Sequence, residues 1–433
     1  MTSNYKCIDK NFYFFAGILV FFSCQRFYFS EITANLSIIP LTLILLCRLQ
    51  SNYQFYLLIL SLILMIDKSE VAYTNTFAIL KYCIYLAFLV SLLFKVINPL
   101  AFLLWAAWFT FIIFISIGNI EYISLNVFIR DLIFILSFIA LVTRYSSLKD
   151  MEFEKLTDFI FYVSLAMLLS ELINIMLFYN YFGGDYLSYS PMKILAVMAS
   201  LIALIRKRVV IFLFLLIPTI FVLVNFQTRM IFVFYLICIV LITMHKASGW
   251  LKVGFFVSVA VFLIPSDLFA QFRVLNIFYY LLNGESFLSL LQELDPIRTA
   301  EHKIIANQNI FSLLFGNGIG VGYRDYLGLL DFVDISDSAF SEEELKNKLF
   351  FRLHDSWIYI THSFGLSVYL GLSYLCFREI LGKSSEQNSR TISIVCLLLL
   401  NLSTYSAGGV MLLTLLLSVL VYKPVSSPSE RLN

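Results

Sequence analysis

The sequence predicts an all-α polytopic integral membrane protein, because of its composition, the length of its apolar runs and the placement of its charges. Of the 433 residues, 60% are hydrophobic and 13% are charged, and the mean hydropathy is +0.88. Soluble proteins average about 25% charged residues, so a water-soluble fold of this chain would lack polar side chains for its surface. The solvent of most of the chain is therefore predicted to be lipid.

Apolar runs recur along the chain, and a helix needs about 20 residues to cross a bilayer. The runs lie at 12–29, 32–48, 53–66, 71–94, 99–118, 125–143, 157–179, 186–205, 208–226, 228–244, 251–266, 356–377, 391–402 and 404–422. They predict about 12–14 transmembrane helices, because one run is short and the last two can form a re-entrant pair. The predicted regions are N-terminal transmembrane helices (1–265), a large loop containing short helices (266–354), and C-terminal transmembrane helices with a tail (355–433).

The basic residues are divided unevenly between the two sides of the predicted membrane. With the amino terminus inside, seventeen Lys and Arg residues fall on the inner side, whereas the short outer connections hold Arg26, Lys68 and Arg229. Because cytoplasmic loops retain positive charge, both termini are predicted to be cytoplasmic and the loop 266–354 to face outward. The formal net charge of +2 provides no clustered cationic surface for nucleic acid, so no nucleic-acid partner is predicted.

The seven cysteines and four histidines form no metal-binding pattern in the sequence. The cysteines lie in apolar segments or near the amino terminus, without CxxC spacing, and are predicted to be small apolar side chains. His354 and His362 are eight residues apart, which differs from the i, i+4 spacing of a zinc-binding helix. No metal and no cofactor are predicted.

Two arginines on the outer side are candidates for binding an anionic substrate. Arg229 opens the run 228–244 at the outer interface, and Arg298 follows Pro296 at a predicted helix start within the loop. A guanidinium group matches phosphate oxygens in pairs, and two of them would stabilise a diphosphate leaving group. The alternatives are an interfacial anchor for Arg229 and a solvated surface residue for Arg298.

A glycine cluster in the same loop contains Gly316, Gly318 and Gly320 at alternate positions. It does not match the GxGxxG nucleotide fingerprint, and no Walker lysine follows it. Alternating glycines permit tight turning or close approach of the backbone to a ligand. A flexible connector is the alternative.

His354 begins the run that returns to the membrane and is followed by Asp355 and Trp357. An imidazole titrates near neutrality and is the commonest general base, so His354 is the predicted base and Asp355 an N-cap or an orienting carboxylate. The alternative for His354 is an interfacial polar residue at a helix start.

Other ionisable residues receive structural or open assignments. Glu171 and Lys193 lie at similar depth below one outer turn, where they either pair across the hairpin or line a cavity. His302 has no evident partner and is predicted to lie on the surface. No role is assigned to Asp131, and the acidic run 331–344 either recognises sugar or keeps the loop soluble.

Together these outer-side features resemble the superfamily of O-antigen polymerases and O-antigen ligases. The resemblance covers roughly residues 225–375 and rests on Thr228-Arg229 at the start of a span, Arg298 in the loop, the glycines at 316, 318 and 320, and His354-Asp355-Ser356-Trp357 with Gly365 and Gly371. The chain departs from the family at Asp355, where the family usually has Asn.

The resemblance implies a metal-independent, inverting glycosyl transfer at the periplasmic face of a bacterial inner membrane. The donor would be an oligosaccharide on undecaprenyl diphosphate, with Arg229 and Arg298 on the diphosphate and His354 as general base. Further substrate contacts are expected from Gly316, Gly318, Gly320, Asp355 and Trp357. The expected partners are this lipid-linked oligosaccharide and membrane lipid, and the apolar surface is compatible with a chain-length regulator protein.

Three functions are open within this interpretation. A polymerase transfers to a second lipid-linked repeat unit, whereas a ligase transfers to the lipid A core. The abundance of Phe, Tyr and Ile, which have AT-rich codons typical of serotype-specific polysaccharide clusters, favours the polymerase. A flippase for lipid-linked sugars is the second alternative, but such transporters place functional charges midway through the membrane, whereas the candidates here share one face.

Overall fold

The computed structural model describes a subset of the chain. The described residues are 2–23, 99–132 except 126 and 130, 150–182, 193–225 except 207, 296–333, 342–351, 353 and 356–371, with isolated positions elsewhere. They are mostly helical, which confirms the all-α part of the predicted fold class. The predicted helices at 32–48, 53–66, 71–94, 125–143, 228–244, 251–266, 391–402 and 404–422 lie wholly or largely outside the described residues.

The longer described helices lie in the amino-terminal half. They are α1 (Thr2–Ser23), α2 (Pro99–Gly118), α3 (Asp150–Phe182), α4 (Lys193–Ile205) and α5 (Val209–Asn225). Helix α2 has the predicted bounds, with proline at the first position, where its missing N–H leaves no bond unmade. Helix α1 starts ten residues before the predicted position 12, and α3 extends past both ends of 157–179. Hydropathy detects only the apolar part of a helix, which explains both errors.

Among the described residues, one helical segment, Lys155–Leu177 of α3, is long and apolar enough to cross a membrane. Shorter apolar helical segments are Lys10–Ser23, Ala107–Gly118, Leu195–Leu204 and Val209–Leu223. Large apolar side chains on α2 and α5 point outward; Phe114 is 74% and Phe214 is 79% exposed. Contiguous exposed apolar surface marks contact with a membrane or another protein, so these two faces require an apolar environment.

Helices α1 and α3 pack side by side in the same direction. The rings of Phe12, midway along α1, and Phe159, in the first third of α3, stack with centroids 6.1 Å apart. Toward their ends, the Ser170 hydroxyl donates to the Phe21 carbonyl oxygen at 3.0 Å. A parallel pair agrees with the predicted topology, in which the spans at 12–29 and 157–179 both run from the inner to the outer side.

Helices α3, α4 and α5 form an up-and-down arrangement. Arg206, just after α4, forms an ion pair with Asp158 near the start of α3, so these two helices are antiparallel. Their shared core contains Leu168 and Ile175 of α3, Ala196 and Ala199 of α4, and Leu215 and Val222 of α5. Small residues such as the two alanines let helices approach closely. The predicted topology places Asp158 and Arg206 on the inner side, and their contact agrees with it.

Polar side chains are buried among these helices. Glu171 is fully buried, with the Asn174 amide 3.5 Å from its Oε2, and the hydroxyls of Ser200 and Tyr235 lie 2.9 Å apart. The predicted Glu171–Lys193 pair remains a prediction, because the side chain of Lys193 lies outside the described residues.

The long loop contains short helices, as predicted. They are α6 (Pro296–Ala306), α7 (Ile310–Phe315) and α8 (Glu342–Asn347), and α9 (Ser356–Phe364) follows the loop. The structure also has an antiparallel pair of short strands that the all-α prediction did not include, β1 (Tyr323–Arg324) and β2 (Leu349–Phe350). Two-residue strands leave no alternation of polar and apolar residues to detect, which explains the omission.

The predicted continuous run 356–377 is interrupted in the structure. Helix α9 ends at Phe364, Gly365 adopts a φ of +90°, and the chain is helical again at 366–371. Only glycine visits this region of backbone space readily. The prediction of one unbroken helix here was therefore wrong at Gly365, because hydropathy does not report backbone conformation.

Candidate active site

The start of α9 lies against α6, although the two helices are about fifty residues apart in the sequence. The His302 ring meets the Trp357 ring edge to face, with centroids 5.1 Å apart. His302 is only partly exposed, so the prediction that it is a surface residue without a partner was wrong. The contact was hidden in the sequence because it joins distant segments.

Arg298 occupies the first turn of α6, as the position of Pro296 predicts. Its side chain is half-buried. Residues four apart share one face of a helix, so Arg298 and His302 lie on the same face, about 6 Å apart along the axis. This face is the one that meets Trp357. Two predicted site residues, Arg298 and Trp357, therefore belong to elements in direct contact.

Behind this face, α6 is fixed by a buried carboxylate that no sequence pattern indicates. Glu301 is 0% exposed and accepts a hydrogen bond from the Tyr323 hydroxyl at 3.1 Å. Burial, and then the negative charge of Glu301, raise the pKa of Tyr323 well above its ordinary value. The phenol therefore stays protonated and remains a donor. Because Glu301 is buried, it positions α6 and does not face a substrate.

The indole N–H of Trp357 is a hydrogen-bond donor without an acceptor among the described residues. The Nε1 atom of this indole is also buried. An unpaired buried donor is costly unless a ligand or water satisfies it. The arrangement is compatible with the predicted contact between Trp357 and a substrate.

The backbone conformation and close packing of the three glycines explain why glycine is needed at these positions. The sequence predicted tight turning or close approach, but not the partners. Gly316, Gly318 and Gly320 have φ values of +83°, +108° and +74°. A Cβ atom on Gly316 would lie 2.6 Å from the Ser363 carbonyl oxygen, and one on Gly318 would lie 2.5 Å from the Ser116 hydroxyl oxygen. The glycine segment 316–322 therefore needs glycine for close approach to its own chain.

Six of the seven backbone amides of the glycine segment 316–322 donate hydrogen bonds within the protein. Four amides donate to backbone carbonyl oxygens: Gly316 to Ser312, Asn317 to His362, Gly318 to Ser363 and Gly322 to Tyr122. Two donate to side chains: Ile319 to the Ser116 hydroxyl and Gly320 to the Asp131 carboxylate. These six N–H groups do not form a cradle for phosphate. Direct substrate binding by the three glycines stays a prediction, restricted to groups other than these amides.

His362 joins the glycine segment to α9. Its Nδ1 lies 3.0 Å from the Gln308 amide nitrogen and 3.1 Å from the Asn317 amide nitrogen, and its Nε2 lies 3.2 Å from the Val321 carbonyl oxygen. Amide nitrogens only donate, so Nδ1 is the acceptor and Nε2–H the donor of a neutral imidazole. Both ring nitrogens of His362 have hydrogen-bond partners, so this side chain positions the glycine segment against α9.

We expect His362→Leu to lower the free energy of unfolding by about 1–3 kcal/mol, because two amide donors and one carbonyl acceptor each lose a hydrogen bond. His362→Gln keeps one acceptor and one donor and should lose less. Denaturant unfolding of the detergent-solubilised protein measures both. The exposed Asn307, whose side chain donates to the Lys303 carbonyl oxygen of the preceding helix α6, supplies the control Asn307→Ala, expected to change stability by less than about 0.5 kcal/mol. Equal losses for Leu and Gln at position 362 would contradict this account.

Part of the acidic run 331–344 is structural. The buried Glu344 accepts from the Phe351 backbone N–H at 2.9 Å, and Asp331 pairs with Lys348 at 2.8 Å. Asp331 raises the pKa of Lys348. These contacts tie α8 and β2 to the loop.

Three predicted site residues, Arg229, His354 and Asp355, lie outside the described residues. Their roles stay predictions. Within the described part of the chain, no group of three or more His, Cys, Asp or Glu residues is arranged to hold a metal ion.

Comparisons with known proteins identify no relative: no protein-family model matches the chain, and no curated protein and no solved structure matches it significantly.

Proposed function

We propose that the chain is a polytopic membrane glycosyltransferase of the O-antigen polymerase type. It joins undecaprenyl-diphosphate-linked oligosaccharide repeat units at the periplasmic face of the bacterial inner membrane, with both termini in the cytoplasm. The proposal rests on the resemblance over residues 225–375. It also rests on one structural observation, the contact between α6 and the start of α9.

That contact supports the proposal because it joins two of the three segments that bear the predicted catalytic residues. His302 and Trp357 touch at 5.1 Å between ring centroids. Arg298 lies one helical turn before His302, and His354 lies three residues before Trp357 in the sequence. A cation for the leaving group and a base for the acceptor are expected on such neighbouring segments.

The proposed reaction is a single displacement at the anomeric carbon of the donor sugar. His354 takes the proton of the acceptor hydroxyl as the oxygen attacks that carbon from the face opposite the phosphate. The bond between the carbon and the phosphate oxygen breaks, and its electron pair leaves with undecaprenyl diphosphate. Arg229 and Arg298 stabilise the negative charge that develops there, and the anomeric configuration inverts.

The membrane setting is supported by the surface of the described helices. Exposed Phe114 and Phe214 lie on helices without a charged residue, α2 and α5. Helix α3 has a segment of spanning length. The ion pair Asp158–Arg206 and the parallel pair α1 and α3 agree with an alternating topology.

Deleting the encoding gene and resolving the cell's lipopolysaccharide by size tests the function. We expect core carrying a single repeat unit in the deletion strain, restored to long chains by the wild-type gene and not by His354→Ala. Bare core with accumulating lipid-linked polymer would identify the ligase instead. Single repeat units held on the cytoplasmic face would identify the flippase, and lipopolysaccharide unchanged by the deletion would exclude all three functions.

A further inference from the structure

The uncharged stretch 304–323 departs from the rest of the long loop. It contains no Asp, Glu, Lys, Arg or His, whereas Lys303 and Arg324 stand directly at its two ends. Both of these cations are exposed, and the Arg324 guanidinium lies 4.5 Å from the centre of the Tyr122 ring. A charge-free stretch between basic and aromatic residues is typical of a segment that enters a membrane and is anchored at its interface.

The contacts of α6 and of this stretch with α9 follow a descending path. His302 meets Trp357 at the start of α9, Gln308 reaches His362 further along, and the Leu314 carbonyl oxygen of α7 accepts from the Ser367 hydroxyl at 2.7 Å. Nine residues separate Ser356 from Gly365, against which α7 packs. At 1.5 Å per residue, α7 lies about 13 Å below the start of α9.

The contacts with α2 give a second, independent measure of the same depth. Phe315 of α7 meets Phe111 edge to face, with ring centroids 5.9 Å apart, and Phe111 lies seven residues before the outer end of α2 at Gly118. That places α7 about 10 Å below this end. The chain then rises, because Gly318 packs on Ser116 and the Gly322 N–H donates to the Tyr122 carbonyl oxygen. Half of the hydrocarbon core is about 15 Å thick, so with the outer end of α2 and the start of α9 at the core boundary, both distances place α7 within the core.

The exposed face of α7 is apolar and adjoins the exposed face of α2. Ile310 is 75% and Phe311 is 54% exposed, and α7 contacts α2 through the partly exposed rings of Phe315 and Phe111. Non-helical backbone at membrane depth needs protein partners for its polar groups, and several such partners are present here. The Asn309 side chain accepts from the Ser312 N–H at 2.8 Å, and six amides of the glycine segment donate to the protein as described above.

From this geometry we infer that residues 304–323 form a re-entrant hairpin whose lowest part, α7, lies between α2 and α9 with Ile310 and Phe311 in contact with the hydrocarbon of the bilayer. The inference rests on the membrane architecture in the proposed function. In this hairpin the glycine segment 316–322 is the limb that returns to the outer surface. It holds the hairpin against α9, the helix that follows His354 in the sequence.

Spin labels at single cysteines test this inference in the full-length protein in lipid nanodiscs, in a background with the seven native cysteines replaced by alanine. The sites are Phe311→Cys and Ile310→Cys on α7, Phe214→Cys on α5, and Tyr326→Cys, which is 80% exposed beyond the hairpin. We expect collisions with a water-soluble nickel chelate at 310 and 311 to fall to the level at 214, and collisions with oxygen to rise to that level. Position 326 should show the reverse.

The control sites separate the two ways in which the inference can fail. Lipid exposure at 214 with water exposure at both 310 and 311 would overturn the hairpin and leave the membrane architecture intact. Water exposure at 214 would overturn the membrane architecture, and with it both the proposed function and the hairpin. If one α7 variant does not fold, the label at the other α7 position decides.

Discussion

Gly365→Ala is expected to lower the free energy of unfolding by about 2–5 kcal/mol. A residue with a side chain costs about 1–2 kcal/mol in the left-handed region, and Gly365 has a φ of +90°. The new Cβ would lie 2.3 Å from the Leu314 carbonyl oxygen, and relieving such a clash with backbone costs about 1–3 kcal/mol more. Unfolding of the purified protein in mixed detergent micelles, followed by tryptophan fluorescence, measures the change.

Gly371→Ala is the matched control. Gly371 belongs to the same family pattern and lies six residues further along, but a Cβ atom added there would have no atom of the described residues within 4 Å, and the φ of Gly371 is not in the positive range that strains a side chain. Alanine favours a helix over glycine by about 1 kcal/mol, so this variant should be neutral or more stable. Similar losses at positions 365 and 371 would show that the break in the helix does not depend on backbone conformation at Gly365.

The parts of the fold that could be predicted are those that local sequence determines. The apolar run after Pro99 gave both ends of α2, and Pro296 gave the start of α6. The prediction of α2 rests on a run of apolar residues, and the prediction of α6 rests on the tolerance of proline in a first helical turn. Both rules use neighbouring residues only. The presence of short helices in the loop was predictable for the same reason.

The contacts within the candidate site could not be predicted, because each joins residues far apart in the chain. His362 binds Gln308, 54 residues away, and Asp131 accepts from Gly320, 189 residues away. Nothing local to His302 or Glu301 distinguishes them from surface residues of an amphipathic helix. The sequence contains one indication that this segment packs inside the protein or the membrane: it has no charged residue between Lys303 and Arg324.

The glycine segment shows how a family pattern and a physical explanation can differ. The resemblance predicts that Gly316, Gly318 and Gly320 contact a substrate, whereas the structure shows their backbone packed on Ser363, Ser116 and Phe128. A residue near a site can be required because it positions the helices that carry the site residues. Gly316 and Gly318 contact Ser363 of α9 and would act on the proposed site through that helix, whereas Gly320 packs on Phe128.

Arg298→Ala is expected to abolish chain extension while the protein still inserts into the membrane. Loss of one group that stabilises developing negative charge typically costs about 10²–10³-fold in rate. Polymer length on lipopolysaccharide, in the deletion strain carrying the variant, gives the first measurement. Transfer between lipid-linked repeat units by the purified protein gives the rate. Polymer of normal length with Arg298→Ala would remove this residue from the mechanism.

Two further variants separate the role of Arg298 in binding diphosphate from a role in folding. Lys303→Ala removes an exposed cation from the same helix and should leave polymer length unchanged, because position 303 is not on the face shared by 298 and 302. Arg298→Lys keeps the charge but loses the paired contact of the guanidinium with phosphate oxygens, so activity should return only in part. Full activity with lysine would mean that a point charge suffices. Equal loss of folded protein in Arg298→Ala and Arg298→Lys would mean that the guanidinium holds α6 in place, since a diphosphate ligand alone would not make the stability of the empty protein depend on this side chain.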